Sequence, residues 1–182
     1  FRPGETQRMI EETAAAVDAR RPVFEATFVH DGMYAQADIL VPVEDDAWDV
    51  IEVKSGTAVK PVNIDDLAFQ KHCYESAGLT IRRCFLMHVN NQYVRQGEID
   101  PAQLLIKEDI TDQVIERQRF VPANLERMRE TIADPFCPDI QVGFHCSDPY
   151  PCPLHDDCWS FLPKHNVTTL YGTRLKKTLP MI

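Results

Sequence analysis

The hydrophobic positions of this chain change period several times, and each change marks an element. Between Glu5 and Arg20, Met9, Ile10, Thr13, Ala14 and Val17 return at helical intervals, as on one face of an amphipathic helix. Pro22 ends that run. Val23 to His30 and Met33 to Val41 read as strands, and Asp31-Gly32 between them has the composition of a tight hairpin turn. After the polar loop Glu44-Asp45-Asp46 comes Trp48 to Ser55, a central strand because Val50, Ile51 and Val53 make it apolar on both faces. A helix is expected from about Ile64 to Ala77, with Asp65 and Asp66 near its positive end and Gly78 closing it. Ile81 to Val89 is a further buried strand. Strand, helix, strand in this order predicts a right-handed parallel crossover.

Beyond Asn90 the pattern weakens. Asp109 to Arg119 and Pro122 to Ala133 both read as helices, the second from Leu125, Met128 and Ile132. Pro122 either opens the second helix or kinks a single longer one. Pro135 to Pro163 is rich in proline, cysteine and histidine, so something other than an apolar core is expected to hold it. Thr168 to Ile182 predicts no element.

The central strand carries chemistry as well as apolar residues. Glu52 and Lys54 are two apart and therefore share a strand face. The preceding strand adds Asp38, completing the pattern Asp-(x13)-Glu-x-Lys. Removing charges from water costs several kcal/mol per ion unless each is compensated. Two carboxylates and an amine in apolar strands are what a divalent cation and a scissile phosphate require. The bland alternative, a solvated surface hairpin, fits poorly with a strand that is apolar on both faces. Gln70 and Tyr74 lie four residues apart on the next helix, hence on one helix face.

Length and composition narrow the classes. At 182 residues, 44% hydrophobic and 26% charged, the chain suits one domain with a sizeable core, or a core plus a small appendage. No apolar run approaches the roughly 20 residues of a membrane span, so no membrane partner is expected. The net charge of -9 argues against broad non-specific binding of nucleic acid, which depends on phosphate neutralisation. Local basic patches could still come from Arg82, Arg83, Arg174, Lys176 and Lys177. Four of the six cysteines crowd between Cys137 and Cys158. That asymmetry fits a reduced, cytoplasmic protein with a metal site better than a disulfide framework. A start at Phe1 with no methionine and no signal-like segment suggests a piece excised from a longer polypeptide.

The set Asp38, Glu52, Lys54 resembles the PD-(D/E)xK nucleases, and Gln70-(x3)-Tyr74 on the following helix narrows the likeness to their RecB-like branch. Cys146-(x5)-Cys152-(x5)-Cys158 is similar to the terminal cysteine group of iron–sulfur members of that branch, AddB and the CRISPR-associated RecB-like exonucleases. The likeness covers nearly the whole chain and extends to bacterial proteins in which IEVKSG and HCxxPYxCP recur. It implies an α/β, restriction-endonuclease-like core (helix, three strands, helix, strand, with a mixed sheet) over residues 1–135, and a Cys-rich tail over 136–182. Asp38 and Glu52, with the Val53 carbonyl, would hold Mg2+ or Mn2+, and Lys54 would orient a water or offset charge on phosphorus. Gln70 would bond nucleic acid or a metal-bound water, and Tyr74 a phosphate.

Relatives commonly carry a metal-binding histidine on the first helix, and Glu5 to Arg20 has none. Glu25, or Glu11 or Glu12, could take its place, while His30 reads as an exposed turn neighbour. The tail would bind an iron–sulfur cluster, of the [4Fe–4S] type, through Cys146, Cys152 and Cys158. Its fourth cysteine is expected ahead of Phe1, with Cys137 the local substitute. Zinc with His145 or His155 is the alternative, and unmodified or disulfide-bonded thiols a third. The expected function is metal-dependent hydrolysis of DNA, as an exonuclease or end-processing enzyme of repair or defence, acting on single strands or duplex ends beside further domains of the same polypeptide. The competing reading is a catalytically silent nucleic-acid-binding module of the same fold.

Overall fold

Hydrophobic patterning and turn chemistry set the first half of the molecule in a computed structural model that describes residues 3–136, 138–172 and 175–181. Helix α1 (Pro3–Asp18) leads into strands β1 (Val23–His30), β2 (Met33–Pro42) and β3 (Ala47–Lys54). Asp31 and Gly32 both take positive φ, 48° and 74°, as a two-residue hairpin turn with matching twist requires. Asp45 and Asp46 make the next reversal with φ of 57° and 58°. Helix α2 (Pro61–Ser76) opens on a proline at its first position, where a missing N–H costs nothing. It is followed by β4 (Thr80–Val89).

Next come the single-turn helix α3 (Pro101–Leu104), strand β5 (Leu105–Asp109), and helices α4 (Thr111–Gln118) and α5 (Val121–Ala133). Neither α3 nor β5 is marked in the hydrophobic pattern. Pro122 lies in the first turn of α5, so the proline opens a second helix and does not kink a longer one.

The sheet order is β1-β2-β3-β4-β5. β1–β2, β2–β3 and β4–β5 are antiparallel and β3–β4 is parallel, as the intervening helix demands. The chain is therefore α/β with a mixed sheet, in the expected order of helix, three strands, helix and strand. One face of the sheet is filled by the paired row Leu40, Val50 and Cys84, packed with Leu67, Ala68 and Tyr74 of α2; all six are fully buried. Each large apolar side chain there contributes about 1.5–3 kcal/mol. On β1, the Thr27 N–H is donated to the buried Thr13 hydroxyl of α1 at 3.0 Å.

The chain divides into one compact unit that ends at Arg129 and a second that begins at Glu130. The second contains only short elements, among them 3-10 turns at Phe144–Cys146 and Val167–Thr169 and helical turns at His155–Cys158 and Leu175–Thr178. Among the described residues no helix is long and apolar enough to cross a membrane.

Candidate active site

Sheet register decides which charges meet. Ile39 pairs with Ile51, so Asp38 and Glu52 stand opposite one another one position further along. The backbone ladder between β2 and β3 stops there, and the Val53 N–H is donated to the Asp38 carboxylate at 2.6 Å. Asp38 thus occupies the place of a strand carbonyl, which fixes its carboxylate against β3. Glu52 is 5% exposed. Its Oε1 accepts from the Lys54 ammonium at 2.5 Å and its Oε2 from the Gln70 amide at 3.0 Å.

Helix α2 supplies the other wall. Asp66, Gln70 and Tyr74 are four residues apart and share one helix face. Asp66 Oδ2 accepts a second hydrogen bond from Lys54 at 3.0 Å, and its Oδ1 one from Gln70 at 3.3 Å. Tyr74 is fully buried, tilts against Phe28 with ring centroids 5.0 Å apart, and donates its hydroxyl to Gln70 Oε1 at 2.8 Å. Glu52, Lys54, Asp66 and Gln70 therefore close a ring of hydrogen bonds tied to the core through Tyr74.

The electrostatics reflect this arrangement. Burial pushes the Glu52 carboxyl up, Lys54 and Gln70 pull it back, and the Asp38 charge adds to the rise. For Lys54 burial acts against the ammonium, but hydrogen bonds to Glu52 and Asp66 win and hold its pKa above the usual lysine value. Tyr74 is pushed well up, first by burial and then by the Glu52 charge, so its hydroxyl keeps its proton.

Several expected roles change. Tyr74 has no exposed surface for a phosphate and acts on Gln70 instead, because the core closes over its ring. Gln70 spends its amide on Glu52, Asp66 and Tyr74 and is 5% exposed, so it fixes a carboxylate and does not reach for nucleic acid. Asp65 and Asp66 do not serve the start of α2, which begins at Pro61. Asp65 pairs with Arg117 at 2.8 Å, and Asp66 belongs to the site.

Glu25 faces Asp38 across β1 and β2, between the pairs Phe24–Ile39 and Ala26–Ala37, but it is exposed and takes a left-handed φ of 56°. Among the described residues no three His, Cys, Asp or Glu side chains form a group able to hold a metal ion, so neither Glu25 nor Asp66 completes a third carboxylate ligand. Glu11 accepts from Gln7, and Glu12 pairs with Arg8, on the solvent side of α1. His30 is exposed. Arg82 is bidentate to Asp49 at 2.9 and 2.7 Å, and Arg83 pairs with Asp109, so both basic side chains have partners already. Arg174 lies outside the described residues, as does Cys137.

In the second unit Cys146 is buried and its sulfur accepts the Gly143 N–H at 3.5 Å, while the Cys152 N–H is donated to the Cys146 carbonyl at 2.9 Å. Cys158 is exposed. The expected convergence of these three sulfurs on one centre is not present among the described residues. As placed they do not fit a cluster.

No family model and no curated protein matches the chain. Among solved structures it is similar to an alkaline exonuclease (LHK-Exo) from Laribacter hongkongensis, at 14% identity and a TM-score of 0.35 over 71% of this chain and 72% of that one. It is also similar to the protein SSO0001, at 9% identity and a TM-score of 0.30 over 68% of this chain and 62% of that one. Likenesses this distant do not bear on the chemistry of the site, which rests on its own residues.

A divalent ion suits the sheet site by the chemistry of its donors. Mg2+ is commonly held by one or two carboxylates and keeps its waters. Asp38 and Glu52 provide two.

Proposed function

We propose that the chain is a Mg2+- or Mn2+-dependent nuclease of the RecB-like kind, hydrolysing DNA phosphodiesters from ends in repair or defence. The observation that carries the reading is the placement of Asp38 opposite Glu52 with the Lys54 ammonium on the same carboxylate. Asp38, Glu52 and the Val53 carbonyl would hold the ion, which lowers the pKa of a bound water and offsets charge on the phosphate. Lys54 stays protonated, because its pKa is raised, and supplies a fixed positive charge beside the reacting phosphate. Gln70 holds the Glu52 carboxylate in orientation, and Tyr74 holds Gln70. The desolvation that lifts Glu52 favours any cation that can approach it.

The alternative is a silent DNA-binding module, favoured by the lack of a three-ligand group among the described residues. An iron–sulfur staple on Cys137, Cys146, Cys152 and Cys158, or zinc in its place, is proposed only with a rearrangement that brings the sulfurs together, which the described placement does not have. Brown colour after anaerobic purification supports it, and a colourless protein with stoichiometric zinc supports the other ion. For the nuclease reading, end-labelled single- and double-stranded DNA is incubated with Mg2+ or Mn2+ and the parent or Lys54→Ala protein. Cleavage should fall roughly 10²–10³-fold on losing one transition-state stabiliser. Equal cleavage by both proteins, or none by the parent with any divalent ion, removes the reading.

A further inference from the structure

The ring of hydrogen bonds gives one ammonium two carboxylate partners, and only one of them belongs to the cation site. Lys54 touches Glu52 Oε1 at 2.5 Å and Asp66 Oδ2 at 3.0 Å. A carboxylate that engages a divalent ion holds an ammonium less strongly, since two positive groups then repel each other and compete for its charge. A lysine side chain is long and flexible, and a strongly hydrated ammonium without a partner turns to solvent. About a third of the Lys54 side chain is already exposed, 34%, so the exit is open.

We infer that Asp66 is a positioning residue for Lys54: it tethers the ammonium at the site once the Glu52 carboxylate is engaged by another cation. The inference rests on the nuclease reading for its purpose, though not for its geometry. Asp66 is well made for the task. It stands on α2 one turn before Gln70 and two before the buried Tyr74, so its position is set by the core. Its second oxygen is occupied by Gln70, which fixes the orientation of the first. At 39% side-chain exposure it can be replaced without opening a cavity.

The tether can be tested without metal or DNA. Glu52→Gln removes the carboxylate charge from Lys54 and so imitates its engagement elsewhere. Parent, Glu52→Gln, Asp66→Asn and the double variant are treated with acetic anhydride at fixed pH, and acetylation of Lys54 is followed by mass spectrometry against other lysines. Lys54 should stay slow in Glu52→Gln and react about tenfold faster in the double variant, one lost charge-assisted hydrogen bond being the difference. Asp66→Glu in the Glu52→Gln background should restore most of the protection, which also separates loss of the tether from misfolding. Equal Lys54 rates with and without Asp66 in that background overturn the inference.

Cleavage gives the second arm. Asp66→Asn should lower kcat about tenfold with little change in KM for DNA, because the tether contacts no substrate. An unchanged kcat in that variant overturns the inference as well. A parent that cleaves nothing removes the nuclease reading, and the acetylation rates still decide the role of Asp66.

Discussion

A carboxylate held between two strands is an expensive object, and Glu52 shows where the expense falls. Burial is the largest influence on its pKa and raises it. The native state therefore holds the Glu52 proton more tightly than the unfolded chain. That contribution is fully present below the ordinary glutamate value and is lost as pH rises through the folded value. Near neutrality the buried charge weighs against the fold, because Lys54 and Gln70 offset its desolvation only in part. Glu52→Gln should accordingly raise the thermal midpoint of the metal-free protein by about 2–4 °C per kcal/mol relieved. The same variant should lose the stabilisation that Mg2+ gives the parent, as thermal denaturation with and without the ion will show. Tyr74→Phe should cost about 1–3 kcal/mol in urea unfolding, because Gln70 Oε1 is left without its donor in a dry core, and should lower cleavage through a loosened Glu52. At this scale the Asp38, Glu52, Lys54 and Gln70 positions were legible, since strand parity and helical spacing place them. Asp66 was not: alone it reads as a helix-end charge. Its spacing of four from Gln70 was the available signal.

Between α1 and β1 a single hydrogen bond shows how an element is seated. The Thr27 N–H points away from β2 and is met by the Thr13 hydroxyl, both residues being buried. Thr13→Val keeps the shape and leaves that N–H unpaired, so unfolding free energy should drop by about 1–3 kcal/mol, while Thr13→Ser should remain close to the parent. In β4 burial pushes the Cys84 thiol up to about 12. Its neutral form is the native one, so its share of stability is complete below the ordinary thiol value and fades as pH climbs toward 12. Urea titrations across that range should show a steeper alkaline loss in the parent than in Cys84→Ala, the difference approaching 1.4 kcal/mol per pH unit. The strands β1 to β4 and helix α2 were readable because each has a buried face, whereas α5 was read from its helical spacing although Met128 and Ile132 are exposed. β5 was hidden because its sequence Leu-Ile-Lys-Glu-Asp ends in three charges and only one side of it is paired. Its existence is a tertiary effect, imposed by β4 offering a free edge.

Over the whole molecule the net charge of -9 limits how DNA can be held. Arg82 and Arg83 are engaged by aspartates, so these two cations must leave their partners to displace counterions. DNA affinity of the chain should fall only gently with salt, with a log–log slope of about -2 or shallower, and should depend strongly on the divalent ion. Fluorescence anisotropy across a salt series, with Mg2+ and with chelator, checks both expectations. The division at Arg129 has no sharp sequence mark, because α5 continues through it with an unbroken helical period. The kink at Glu25 has a consequence of another kind. β1 ends the sheet and carries the exposed side chains Phe24 and Val29, a combination that invites a second chain to add its own strand. A residue at φ 56° in mid-strand breaks the straight row of donors and acceptors that such addition needs. Resistance to strand addition is thereby shared between the Thr13 hydroxyl on the Thr27 N–H and the backbone at Glu25, and Glu25→Val, whose branched side chain resists that conformation, should shift the protein toward self-association in sedimentation experiments.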